Sequence, residues 1–74
     1  MNERELKAYL DVAGDFNFIY KGVWYYISGL SDGSYSCGVV DSDKDIVFSS
    51  LGDVLGGFKI DGMPLQEILP CIDW

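Results

Sequence analysis

The stretch FNFIYKGVWYYISGLSDGSYSCGV, residues 16–39, decides the fold. Its apolar residues recur in steps of two: Phe16, Phe18 and Tyr20, then Val23, Tyr25 and Ile27, then Tyr35, Cys37 and Val39. Successive side chains of a strand point to opposite faces, so this period in aromatic and β-branched residues predicts three strands. Lys21-Gly22 is a two-residue connection, which sets Tyr20 opposite Val23, Phe18 opposite Tyr25 and Phe16 opposite Ile27. The next connection admits two registers. A two-residue loop at Asp32-Gly33 would bring Ser36 and Gly38 onto the Phe16 face. A three-residue loop, Ser31-Asp32-Gly33 with Gly33 left-handed, brings Tyr35, Cys37 and Val39 there instead. The second register is preferred because it makes one face continuously apolar, and a slip of one residue inverts a whole strand.

That choice leaves a second face carrying Asn17, Ile19, Trp24, Tyr26, Ser28, Leu30, Ser34, Ser36 and Gly38. Two dispositions of its aromatic members are open. Either the segment Leu51 to Leu69 lies over them, or they face a partner.

Outward from this core, Asn2 followed three positions later by Glu5 has the form of a capping box, and Leu6, Tyr9, Leu10 and Ala13 recur at helical spacing until Gly14. A helix over Glu3 to Ala13 is expected. On the other side, Asp41-Ser42-Asp43-Lys44-Asp45 is a polar turn and Ile46-Val47-Phe48 suits a short fourth strand. Ser50 and Asp53 resemble a capping box with Asp in the Glu role, opening a short helix with Leu51, Val54 and Leu55 that ends at Gly56-Gly57. Phe58-Lys59-Ile60 alternates again, as a fifth, edge strand. Asp61-Gly62 turns the chain, Pro64 suits the first position of a helix, and Leu65, Ile68 and Leu69 form a last helical turn that Pro70 ends. The fold class is therefore α+β: an N-terminal helix, an antiparallel meander of three to four strands, and short C-terminal helical turns packing on the sheet. One domain spans residues 1–74.

Seventy-four residues of which 49% are hydrophobic are too apolar for a disordered acidic tail, yet too few for more than one thin core. No apolar run has the length of a bilayer span, and Met1 to Lys7 is charged and helical in pattern rather than a signal peptide, so a soluble cytoplasmic protein is expected. Twelve acidic against five basic side chains give a net charge of −7. Arg4, Lys7, Lys21, Lys44 and Lys59 stand singly among acids, which excludes the basic patch that gripping phosphates requires. Anionic membrane surfaces are disfavoured for the same reason, whereas a basic protein surface is attracted. Cys37 and Cys71 have neither C-x-x-C nor metal-ligand spacing and are expected as reduced thiols.

Motifs of catalysis fail on inspection. Gly29-Leu30-Ser31-Asp32-Gly33 fits the G-x-S-x-G pattern, but the chain has no histidine to act as base and the following residues are strand-like. Asp41, Asp43 and Asp45 alternate like the first ligands of a calcium loop, yet Ile46 stands where Gly is needed and Gly52 where a bidentate Glu belongs. No enzymatic activity, metal or cofactor is expected.

The remaining candidate is a contact surface: Trp24 and Tyr26 at its centre, Ile19 and Leu30 beside them, and Asp41, Asp43 and Asp45 at the rim. Trp and Tyr dominate binding hot spots, and carboxylates set approach and specificity. In size, acidity and lack of catalytic residues the chain resembles small phage-encoded inhibitors, anti-CRISPR proteins among them. That resemblance, of composition and of no motif, implies an acidic body presenting charge where nucleic-acid phosphates would sit on a basic protein. The alternative is a structural or assembly subunit forming a homodimer through its sheet face or edge strand.

Overall fold

A computed structural model describes residues 1–72. The chain runs α1 (Glu3–Ala13), β1 (Asp15–Tyr20), β2 (Val23–Gly29), β3 (Tyr35–Val39), β4 (Asp45–Phe48), α2 (Leu51–Gly57), β5 (Lys59–Ile60), β6 (Met63–Pro64) and α3 (Leu65–Ile68), and closes in a 3₁₀ turn at Leu69–Cys71. The four long strands form one antiparallel sheet in the order β1-β2-β3-β4.

The helix boundaries follow from side chains that satisfy end groups. Asn2 Oδ1 accepts the Glu5 N–H at 2.9 Å and Glu5 Oε1 accepts the Asn2 N–H at 3.0 Å, so the capping box is complete. Gly14, at φ +85°, ends α1 by donating its N–H to the Leu10 carbonyl. Its own carbonyl accepts the Gly29 N–H at 2.8 Å, which ties the helix exit to the end of β2. At α2, Ser50 Oγ accepts the Asp53 N–H, while the Asp53 carboxylate accepts the Ser49 hydroxyl at 2.7 Å.

The expected register is the observed one. Phe16 lies opposite Ile27 and Phe18 opposite Tyr25; Ile27 lies opposite Cys37 and Tyr25 opposite Val39. Lys21 and Gly22 both have positive φ, 51° and 80°, as a type I′ turn requires, and Gly33 has φ +90° in the three-residue loop. Ser36 is buried even so. It sits on an interior strand between Ser28 and Val47, and its hydroxyl donates to the Asp45 carboxylate at 2.7 Å, so the small side chain is shaded from the open side without joining the core.

One face of the sheet takes the whole covering layer. Leu6 and Leu10 of α1, Val54 and Leu55 of α2, and Leu65 and Ile68 of α3 join Phe16, Phe18, Ile27 and Cys37 in a single buried cluster. Each fully buried apolar side chain stabilises by about 1.5–3 kcal/mol. An aromatic row crosses this face from Tyr9 through Phe16, Phe18, Tyr25 and Phe58 to Phe48, with ring centroids 5.2 to 6.5 Å apart. Gly57 lets Phe48 close up, since a Cβ there would stand 2.7 Å from its ring.

Three C-terminal expectations need correction. Lys59–Ile60 is not an edge strand of the main sheet; it pairs with Met63–Pro64 in a separate two-stranded ladder, because Asp61-Gly62 forms a second turn with positive φ at both positions and folds the chain back on itself. Pro64 is the N-cap of α3 and not its first residue; it ends the ladder in extended geometry at ψ 149°. Pro70 does not stop the last turn. It lies inside the 3₁₀ turn, where a residue near the start of a helix needs no N–H.

Candidate functional site

The segment Leu51 to Leu69 does not lie over the second face: α2, β5, β6 and α3 pack with α1 on the Phe16 face, and the opposite face is open. Ile19, Trp24 and Val40 stand in one row across it. Ile19 is the β1 partner of Trp24, and the Val40 N–H donates to the Trp24 carbonyl at 2.9 Å, which sets Val40, the residue after β3, opposite Trp24. Trp24 is 51% exposed, in accord with a side chain lying on the sheet with nothing above it.

Tyr26 lies in the next row, between Asn17 and Gly38. A Cβ on Gly38 would stand 3.1 Å from Tyr26 Cε1, 3.2 Å from its Oη and 2.9 Å from the Lys44 carbonyl oxygen. The ring therefore lies across the glycine, half-buried, and points from β2 towards the start of β4. Glycine is required here by close approach and not by backbone torsion. Val47, opposite Ser36, adds a further exposed apolar side chain to this face.

Of the acidic candidates, Asp45 is on this face, one position across from Gly38, and its carboxylate accepts the Ser36 hydroxyl. Asp41 and Asp43 are exposed in the turn before β4. Asp15, at the start of β1 opposite Ser28, is a further exposed acid on the same face. Lys7 and Lys21 are engaged elsewhere. Lys7 pairs with Asp11 along α1 at 3.2 Å, and Lys21 pairs with Asp61 at 2.6 Å, whose hydrogen bond and, after it, charge raise the lysine pKa.

Leu30 is not part of the Trp24 patch. It follows β2 at its far end, roughly 20 Å from Trp24 at the rise of a strand, and borders a groove of about 300 Å³ with Leu10, Gly14, Gly33 and Tyr35. The G-x-S-x-G residues make the β2–β3 loop. Asp32 accepts the Ser34 hydroxyl and backbone N–H, in that order of influence, and these bonds hold its carboxyl below the ordinary range. Among the described residues no three of Cys, Asp and Glu are placed to share a metal ion. Cys37 is a buried free thiol whose burial pushes its pKa up to about 12, and Cys71 is free and exposed. Among the described residues no helix is long and apolar enough to cross a membrane.

Asp15, Val40 and Val47 are the residues of this face that the sequence reading does not include. The signal for Val40 was present: once Val39 is placed opposite Tyr25, the next residue must stand with Trp24. Comparison with known proteins finds no family model, no curated protein and no solved structure that matches the chain.

Proposed function

We propose that this chain is a non-enzymatic interaction module whose open sheet face docks on a basic surface of another protein, of the kind that otherwise holds nucleic acid. One observation carries the reading: every helix packs on one side of the sheet, leaving Ile19, Trp24, Tyr26, Val40 and Val47 uncovered on the other, beside Asp15, Asp41, Asp43 and Asp45. Large aromatic side chains supply affinity at low entropic cost, while the surrounding carboxylates steer a cationic partner and reject an anionic one. In this role the carboxylates inhibit by occupancy.

The test compares wild type, Trp24→Ala and the double variant Asp41→Asn/Asp43→Asn as baits in native-host extract, each at rising salt. The expected partner is basic, is lost with Trp24→Ala, and shows a flatter salt dependence with the double variant. Retention of the partner by Trp24→Ala removes the aromatic face from the contact.

The uncharged row Ile19, Trp24, Val40 favours a second reading, a homodimer through the same face. Sedimentation separates the two. A dimer that persists in high salt and dissociates with Trp24→Ala supports self-association; a monomer supports the basic partner.

A further inference from the structure

Hydrogen-bond alternation identifies which backbone groups of β4 are free. Trp24 bonds with Val40, and Leu30 with Ser34, so the even-numbered residues of β3 turn their N–H and C=O groups to β2. Tyr35 and Cys37 then turn theirs to β4, where their partners are Phe48 and Ile46. The intervening residues Asp45 and Val47 direct their backbone groups away from the sheet. Among the described residues no backbone bond reaches them from outside the strand pair.

The side chains next to this edge are bare on both sides. Val47 is on the open face and 58% exposed; Ile46 projects to the core side and is still 53% exposed, because the covering layer meets β4 at Phe48, against Gly57 and Phe58, and not at Ile46. The opposite edge differs. On β1 the core-side residues Phe16 and Phe18 are already buried, so a strand added there would gain little apolar contact. Charge then selects the occupant. Asp41, Asp43 and Asp45 lie at one end of β4 and Asp53 beyond the other, and Lys44 is the only basic residue in positions 41–58.

We infer that β4 is a docking edge that takes an extended, Lys- or Arg-bearing segment of the partner protein as a fifth strand. Backbone bonds to Asp45 and Val47 supply affinity, Ile46 and Val47 cover alternate side chains of the incoming segment on its two faces, and the acids at both ends favour cations there. A second copy of this chain is disfavoured, since each carries a net charge of −7 and antiparallel pairing of β4 with β4 would set Asp41, Asp43 and Asp45 of each copy towards the Asp53 end of the other. The inference rests on the reading of a basic partner and adds where its backbone engages.

Amide exchange followed by NMR tests it, with a capped peptide of alternating Lys and Val as probe and its Glu-Val counterpart as control. The Lys-Val peptide is expected to slow exchange at the Asp45 and Val47 N–H by about tenfold or more, and the Glu-Val peptide to leave them unchanged. Val47→Pro removes an outward N–H and no bond to β3, a change that edge strands tolerate, and is expected to weaken peptide binding by about tenfold. If that variant does not fold, amide protection in the wild type decides alone. Unchanged exchange at Val47 with the Lys-Val peptide overturns the inference, and a shift of the Trp24 indole in the same experiment leaves the sheet-face reading standing. Protection of Val47 together with full capture of the partner by Trp24→Ala has the reverse meaning: the edge is the contact and the face is not. Protection that grows with protein concentration in the absence of peptide assigns the edge to a second copy and overturns the basic segment.

Discussion

Phe18 and Ile19 are chain neighbours on β1, yet Phe18 is 2% exposed and Ile19 47%. The same contrast holds between Ile27, fully buried, and Tyr26 beside it, and it separates the two faces of one sheet built from the same residue types. Aromatic and β-branched side chains make good strands whichever way they point; burial depends on what later segments lay over them. A face that is rich in such residues and uncovered in the folded chain has surface left to give to another molecule.

The largest expected effect is on the covered face. Phe18→Ala removes a ring stacked between Phe16 and Tyr25 and should destabilise by about 3–5 kcal/mol, read as a lowered urea midpoint with an unchanged slope. A loss under about 1 kcal/mol would break the contrast, because the covered face would then be no more structural than the open one. Gly38→Ala is next. Its Cβ meets the Lys44 carbonyl, which is backbone and cannot swing aside, so a loss of about 1–3 kcal/mol is expected, with displaced Tyr26 ring resonances.

Trp24→Ala should cost under about 1 kcal/mol, measured on the same urea curve, while abolishing partner capture. Melting of this variant would make the open face structural and end the comparison. One effect appears only in alkali. The Cys37 pKa is raised from about 9 to about 12, so the unfolded chain loses this proton first; the contribution is fully present below pH 9 and is lost as pH rises towards 12. Cys37→Ala should lessen the fall of stability across that window, and a thiol reagent at pH 8 should label Cys71 rapidly and Cys37 only on unfolding.

Much of this was legible in the sequence for local reasons. Lys21-Gly22 fixes one hairpin and the capping residues Asn2 and Glu5 fix one helix start, and neither depends on distant contacts. The three-residue loop was settled by apolar continuity, which is a property of one face. The placement of β5 was not legible, since a ladder as short as Lys59–Ile60 with Met63–Pro64 has no periodicity and its turn alone defines it. Nor could the coverage of the sheet be read, because Ile19, Trp24 and Tyr26 have the composition of a core. For the site, only parity links Leu30 to Trp24 in the sequence, and parity assigns a face without giving a distance along it.

The strand order β1-β2-β3-β4 also bears on how the molecule assembles. Every strand pairs with its immediate successor, so the sheet needs only short loops to close and can form early. Most of its cover, eight of the ten buried residues that pack over the sheet, lies from Val54 to Ile72, follows the last of these strands and leaves the ribosome after them. For that interval a nascent sheet carries bare apolar side chains on both faces instead of one, and Phe16, Phe18, Ile27 and Cys37 are as open to wrong partners as Trp24 is in the finished protein.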